Sequence, residues 1–222
     1  MTDNRYLRAY AVLALGLLLL CGLVLNLGDR HGQVLMGESG PIEVASAVGY
    51  FACALYMIAR GGRDFLVSRG YFVVLTLLFG FRELDFDKAF TTMGILKSRF
   101  YLSSDVPIPE KVIGLLVIAL IFWTVFQLLR NHFVEFLQGL KQRAPVALGV
   151  GLIFFLLAFS KSIDGLARKL KPFGIETSAE VSRWAGSVEE VLELGIPIYM
   201  VLTFHAWLSR RRAESPSSSS WS

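Results

Sequence analysis

The chain reads as an all-α polytopic membrane protein: a bundle of six transmembrane helices with short loops and short interfacial helices. Three observations predict it. Of 222 residues, 54% are apolar without counting the 20 glycines, whereas an ordinary domain reaches roughly 45–50% with glycine included. Charged residues are 18%, against about 25% normally. The apolar residues also gather in runs of about 20, the length that crosses a hydrocarbon core. The mean hydropathy is +0.55. Such a composition excludes a disulfide-stapled mini-protein, a disordered chain and a collagen. The net charge of +4 flanks apolar runs rather than forming a basic patch, so no nucleic-acid partner is expected.

The first span covers about residues 8–27. Arg5 and Arg8 precede it, as in a signal peptide. The run is too long for that and lacks a small-residue cleavage site, so it reads as an uncleaved helix. Leu19-Leu20-Cys21-Gly22 is no lipobox, because Leu20 is not small. The second span covers about 41–59. The third covers 70–87 and takes in charges after Phe81. The fourth covers 111–129. The fifth, 145–164, and the sixth, 186–208, complete one domain over 1–212. Residues 213–222 form a Ser-rich tail read as disordered. Between spans, Asn131 to Arg143 and Phe90 to Leu102 read as amphipathic interfacial stretches, on the inner and outer sides respectively. Val106-Pro107-Ile108-Pro109 breaks the second of these. Thr177-Ser178-Ala179-Glu180 fits a capping box that opens a helix carrying Trp184. Cys21 and Cys53 lie inside apolar runs, where thiols act as packing residues.

Orientation follows from where the basic residues sit. With the N-terminus inside, each side receives 11 Lys or Arg, so the total decides nothing. Position decides: Arg60, Arg63, Arg69, Arg130, Lys141, Arg143 and Arg210 to Arg212 all abut inner span ends. Both termini are expected in the cytoplasm of a bacterial cell, with the chain in the inner membrane.

Charges within spans are costly in hydrocarbon and usually face a partner or a wet cavity. Arg82, Glu83 and Asp87 end the third span; Ser160, Lys161 and Asp164 end the fifth; Glu190 and Glu193 open the sixth. At 1.5 Å per residue, Arg82 is roughly 20 Å from Arg69, and Lys161 roughly 24 Å from Pro145. Glu193 is roughly 10 Å inward of Gly186 on the same rise. All three levels fall in the outer leaflet. Glu83 and Asp87, Ser160 and Asp164, and Glu189 and Glu193 are i,i+4 pairs, and Glu190 and Glu193 are i,i+3, so each pair shares a helix face. Gly195 and Pro197 would let the sixth helix kink beside them. The eight residues Arg82, Glu83, Asp87, Ser160, Lys161, Asp164, Glu190 and Glu193 form the expected polar site. Asp87, Asp164 and Glu193 are the candidate ligands for a divalent cation, with oxygen donors favouring Mg²⁺, Mn²⁺ or Ca²⁺.

Histidine offers little: His31 lies in an outer loop, His132 at the inner surface and His205 beside Trp207. No haem pair, P-loop or dinucleotide fingerprint is present, so neither haem nor nucleotide is expected. Three readings follow. The leading one is ion or small-solute transport or coupling, with a homodimer expected because 222 residues make a small pathway. The second is a metal-dependent membrane enzyme acting on lipid headgroups or isoprenoid phosphates, with Arg82 and Lys161 on phosphate. The third is a non-catalytic partner of another membrane protein.

Overall fold

The structure, a computed structural model, describes residues 3–26 and 40–214. The described residues are mostly helical, without strands. They form α1 (Asp3–Leu25), α2 (Pro41–Arg69), α3 (Tyr71–Glu83), α4 (Phe86–Phe90) and α5 (Ser98–Leu102). These are followed by α6 (Ile108–Lys141), α7 (Pro145–Ile163), α8 (Leu166–Leu170), a 3₁₀ turn (Lys171–Phe173) and α9 (Ala179–Glu214). Residues 27–39, with His31, and 215–222, with most of the Ser-rich tail, lie outside the described residues.

Five helices among the described residues are long and apolar enough to cross a membrane: α1, α2, α6, α7 and α9. Their outward residues are apolar, among them Val12, Leu18 and Leu19 on α1 and Leu116, Phe122 and Phe126 on α6. Such faces are stable against lipid, whereas in water contiguous apolar surface drives association. Residues 70–87 do not form one helix. α3 has 13 residues, roughly 20 Å at helical rise. Leu84 closes it with an N–H donated to the Gly80 carbonyl, and Asp85 takes a left-handed φ of 47°. The helix therefore ends four residues before the expected boundary.

Two other boundaries differ from the sequence reading. α6 continues through 34 residues, so the amphipathic stretch from Asn131 is the end of the fourth span's helix rather than a separate element. It stops in a Schellman motif. The Ala144 N–H reaches the Gly139 carbonyl at 2.8 Å and the Arg143 N–H reaches the Leu140 carbonyl at 3.1 Å. Arg143, with φ 55°, occupies the position that favours glycine. Arg143→Gly is expected to raise stability by about 1 kcal/mol by removing the Cβ penalty. Arg143→Ala, which keeps Cβ, should leave it unchanged; thermal unfolding in detergent measures both. α9 is one helix of 36 residues. Its N-cap is Ser178, whose Oγ accepts from the Val181 N–H at 3.2 Å, which places the cap one residue after Thr177.

The chain packs as two compact units, one of residues up to Ile42 and from Phe136 onward, the other of Glu43–Glu135. In the first, α9 packs along α7 and α1. Its core includes Tyr10, Leu17, Val24, Leu156, Val191, Ile196 and Tyr199. In the second, Tyr50 stacks on Phe79 and Phe51 meets Phe81 edge-on, joining α2 to α3. Gly62, at φ 73° and ψ 177°, breaks α2 in a region essentially restricted to glycine. The part before it matches the expected second span.

Candidate functional site

In the first unit, the last turn of α7 and the second and third turns of the apolar part of α9 bring four of the eight expected residues together. The helical spacing of α9 puts Glu189 and Glu193 on the face that meets α7. Ser160 Oγ donates to Glu193 Oε1 at 2.9 Å, and both residues are buried. Lys161 Nζ lies 3.1 Å from Glu193 Oε1, 3.2 Å from Glu189 Oε1 and 3.5 Å from Asp164 Oδ2. The lysine side chain is 42% exposed while that of Glu193 is 8%. The ammonium thus reaches inward from the mouth of the site, where Asp164 also lies, and the carboxylates of Glu189 and Glu193 sit deeper. Asp164 is held there as the C-cap of α7, with its N–H on the Ser160 carbonyl at 2.9 Å. Gly165 follows in a left-handed conformation, φ 57°, and turns the chain away. Glu190 is half-buried one turn before Glu193. Pro197 lies inside α9. It has no N–H for the carbonyl four residues earlier, so the main-chain oxygen of Glu193 loses its helical donor beside its own carboxylate.

The other three expected residues belong to the second unit. Arg82 Nη1 is 3.2 Å from Glu83 Oε1, and Glu83 is buried. Asp87 is engaged by its own loop, accepting the Ile95 N–H at 3.2 Å. Glu110 fastens the same loop to the start of α6, accepting from the Thr92 N–H at 2.7 Å and from its hydroxyl. Among the described residues no group of three or more His, Cys, Asp or Glu side chains is placed to hold a metal ion. Of the candidate ligands, Asp164 and Glu193 lie in the first unit and Asp87 in the second.

The sequence reading left out several polar residues that the structure brings together. Glu189 contacts Lys161, and its i,i+4 spacing to Glu193 was the available signal. Deeper in the first unit, the Tyr10 hydroxyl donates to Thr203 Oγ1 at 3.4 Å, and the Tyr199 hydroxyl donates to the Tyr10 carbonyl at 3.0 Å. Tyr6 donates to Ser209 Oγ at 2.7 Å, and its ring lies 6.2 Å from that of His205. Within the second unit, Tyr71 Oη and His132 Nε2 are 2.6 Å apart. His132, read from sequence as an inner-surface residue, thus ties α3 to α6.

Compared with protein-family models, with curated proteins and with solved structures, the chain matches none.

Proposed function

We propose that the protein is a six-pass transporter or ion-coupling protein of the bacterial inner membrane, with both termini cytoplasmic. Its working site would be Ser160, Lys161, Asp164, Glu189 and Glu193. In this reading α2 brings the chain to the cytoplasmic side at Arg60–Arg69, α3 is a short third span that carries it out, and α6 returns it at Arg130–Arg143, in keeping with the positive-inside rule. The observation that carries the function is one ammonium within 3.5 Å of three carboxylates on two apolar helices. A single buried ion pair would serve to lock two helices. Three acids around one lysine form a surplus within this group, and a proton or small cation arriving from outside can balance it. Charges at such depth cost about 2.5–3.5 kcal/mol each at a bilayer centre, less toward the edge, and usually mark an ion path.

The test is labelling with a membrane-permeant carbodiimide, which adds to a protonated carboxyl in an apolar site. Mass spectrometry should find the adduct on Glu193 or Glu189. The yield should fall when the coupled cation is added, and the labelled protein should lose transport in vesicles. If both residues stay unlabelled wherever the protein is folded, or the labelled protein transports as before, the reading is wrong.

A further inference from the structure

We infer that the coupled ion is the proton, that the hydroxyls of Tyr10 and Thr203 form the inner half of its route with Tyr199 holding Tyr10 in place, and that Leu17 and Leu156 are the dry plug separating that half from Glu193. The inference rests on the coupling function proposed above and specifies its ion.

Polar side chains recur along α9 from the outer group to its last turns. Glu193 to Tyr199 is roughly 9 Å along the axis, Tyr199 to Thr203 roughly 6 Å, and Thr203 to Ser209 roughly 9 Å. The middle members are inside the protein: Tyr10 is 3% exposed, Tyr199 1% and Thr203 6%. Packing alone would be met by Phe and Val at these positions, without the cost of burying a hydroxyl. Instead each hydroxyl bonds across the α1–α9 contact, and Tyr6 with Ser209 continues the series toward the cytoplasmic ends of both helices. Gly149 on α7 is consistent with this use. A Cβ there would overlap Thr203 Oγ1 and lie 2.5 Å from Tyr10 Oη. The third helix therefore leaves the two oxygens their space.

The stretch between Glu193 and Tyr199 is different. Leu17 of α1 and Leu156 of α7, both buried, converge on Gly195; Leu17 comes within 2.5 Å of where its Cβ would be, and Leu156 within 3.5 Å. Ile196 and Pro197 complete an apolar layer about one and a half turns deep. The Glu193 main-chain oxygen released by Pro197 stands at its outer edge. This is the arrangement of a gate: polar groups on either side, hydrocarbon between, and a helix able to bend at the proline.

The chemistry balances. A proton from the outer side converts the Glu193 carboxylate to the carboxylic acid. When the plug opens, the acid releases that proton inward. Beyond the plug the Tyr10 hydroxyl accepts it on its oxygen and releases its own proton to Thr203 Oγ1, which in turn releases its own on the far side, while the Tyr199 hydroxyl, donated to the Tyr10 carbonyl, holds Tyr10 in place. One proton enters, one leaves, and no covalent bond to carbon changes.

The experiment uses the full chain reconstituted in vesicles with a trapped pH dye and an imposed potassium diffusion potential. Leu17→Asn or Leu156→Asn should wet the plug and raise proton flux about tenfold. Tyr10→Phe and Thr203→Val should lower the native flux about tenfold, as expected for loss of a proton-transfer group. Thr203→Ser, which keeps the hydroxyl, should retain it. Opposite signs at neighbouring buried positions cannot come from loosened packing. If Glu193→Gln abolishes flux but Tyr10→Phe and Thr203→Val leave it native, the route is wrong and the coupling site stands. If transport that depends on Glu193 is of another ion, with no proton flux, the inference is overturned alone. If neither native protein nor Leu17→Asn exceeds empty vesicles and Glu193 resists carbodiimide, both fall.

Discussion

Lys161→Met should destabilise the first unit by about 1–3 kcal/mol, and adding Glu193→Gln should restore part of that loss. Removing one partner of a fully buried pair costs about 3–5 kcal/mol, because the other charge stays behind uncompensated. Lys161 is 42% exposed, so water and headgroups screen the carboxylates it abandons, and the lower range applies. Glu193→Gln alone should cost little, since a glutamine oxygen can still accept the Ser160 hydroxyl that now lies 2.9 Å away. In the double variant the deepest charge and its partner are both gone, leaving Asp164 and Glu189 nearer the mouth. A double-mutant cycle of unfolding in mixed detergent reads the coupling between the two. A coupling of zero would mean that the lysine is solvated rather than bound, and the surplus-acid argument for the site would lose its basis.

The five helices long and apolar enough to cross a membrane were legible because length and apolarity answer directly to bilayer thickness. α1, α2, α7 and α9 each cover or nearly cover the expected stretch. What failed was the assumption that a charge ends a helix. Arg130 marks the inner limit of the apolar run, but the backbone hydrogen-bond ladder is indifferent to whether water or lipid surrounds it. α6 therefore continues to Lys141 and stops only where Arg143 adopts a left-handed turn ahead of Pro145. The reverse error occurred at α3. The length a span needs carried the expected helix through its charges to residue 87, while Asp85 breaks it through a left-handed conformation that neither glycine nor proline announces.

Part of the candidate site was legible for a different reason. Lys161 and Glu193 are conspicuous because charges in an apolar run are expensive, and helical spacing told which residues share a face. It does not tell which face meets which, nor that Asp87 accepts the Ile95 N–H of its own loop. The hydroxyls of Tyr10, Tyr199 and Thr203 were missed because tyrosine and threonine have apolar bodies and read as core. Only the pairing of α1 with α9 shows the Tyr10 hydroxyl meeting Thr203 and the Tyr199 hydroxyl meeting the Tyr10 carbonyl.

That pairing depends on one glycine, and Gly149→Val should be the most damaging of the substitutions considered: about 3 kcal/mol or more, against the 1–3 typical of overpacking. Gly149 and Gly151 are both small residues on α7, of the kind that allows close helix contact, yet their surroundings differ. At Gly149 a Cβ would overlap Thr203 Oγ1 and lie 2.5 Å from the Tyr10 oxygen and 2.9 Å from its ring carbon. Thr203 and Tyr10 come from two different helices, so relieving one contact tightens the other, and the hydrogen bond between them must break. At Gly151 the nearest atom is the end of the Leu140 side chain at 3.5 Å, an ordinary contact. Gly151→Ala should therefore be tolerated, and can gain up to about 1 kcal/mol from the better helix propensity of alanine. The contrast between two glycines one half-turn apart separates a close contact between helices from a general effect of side-chain volume on α7. Equal losses at both positions would show that α7 is sensitive along its whole length, and that the three-helix contact at Gly149 does not hold α1 in place.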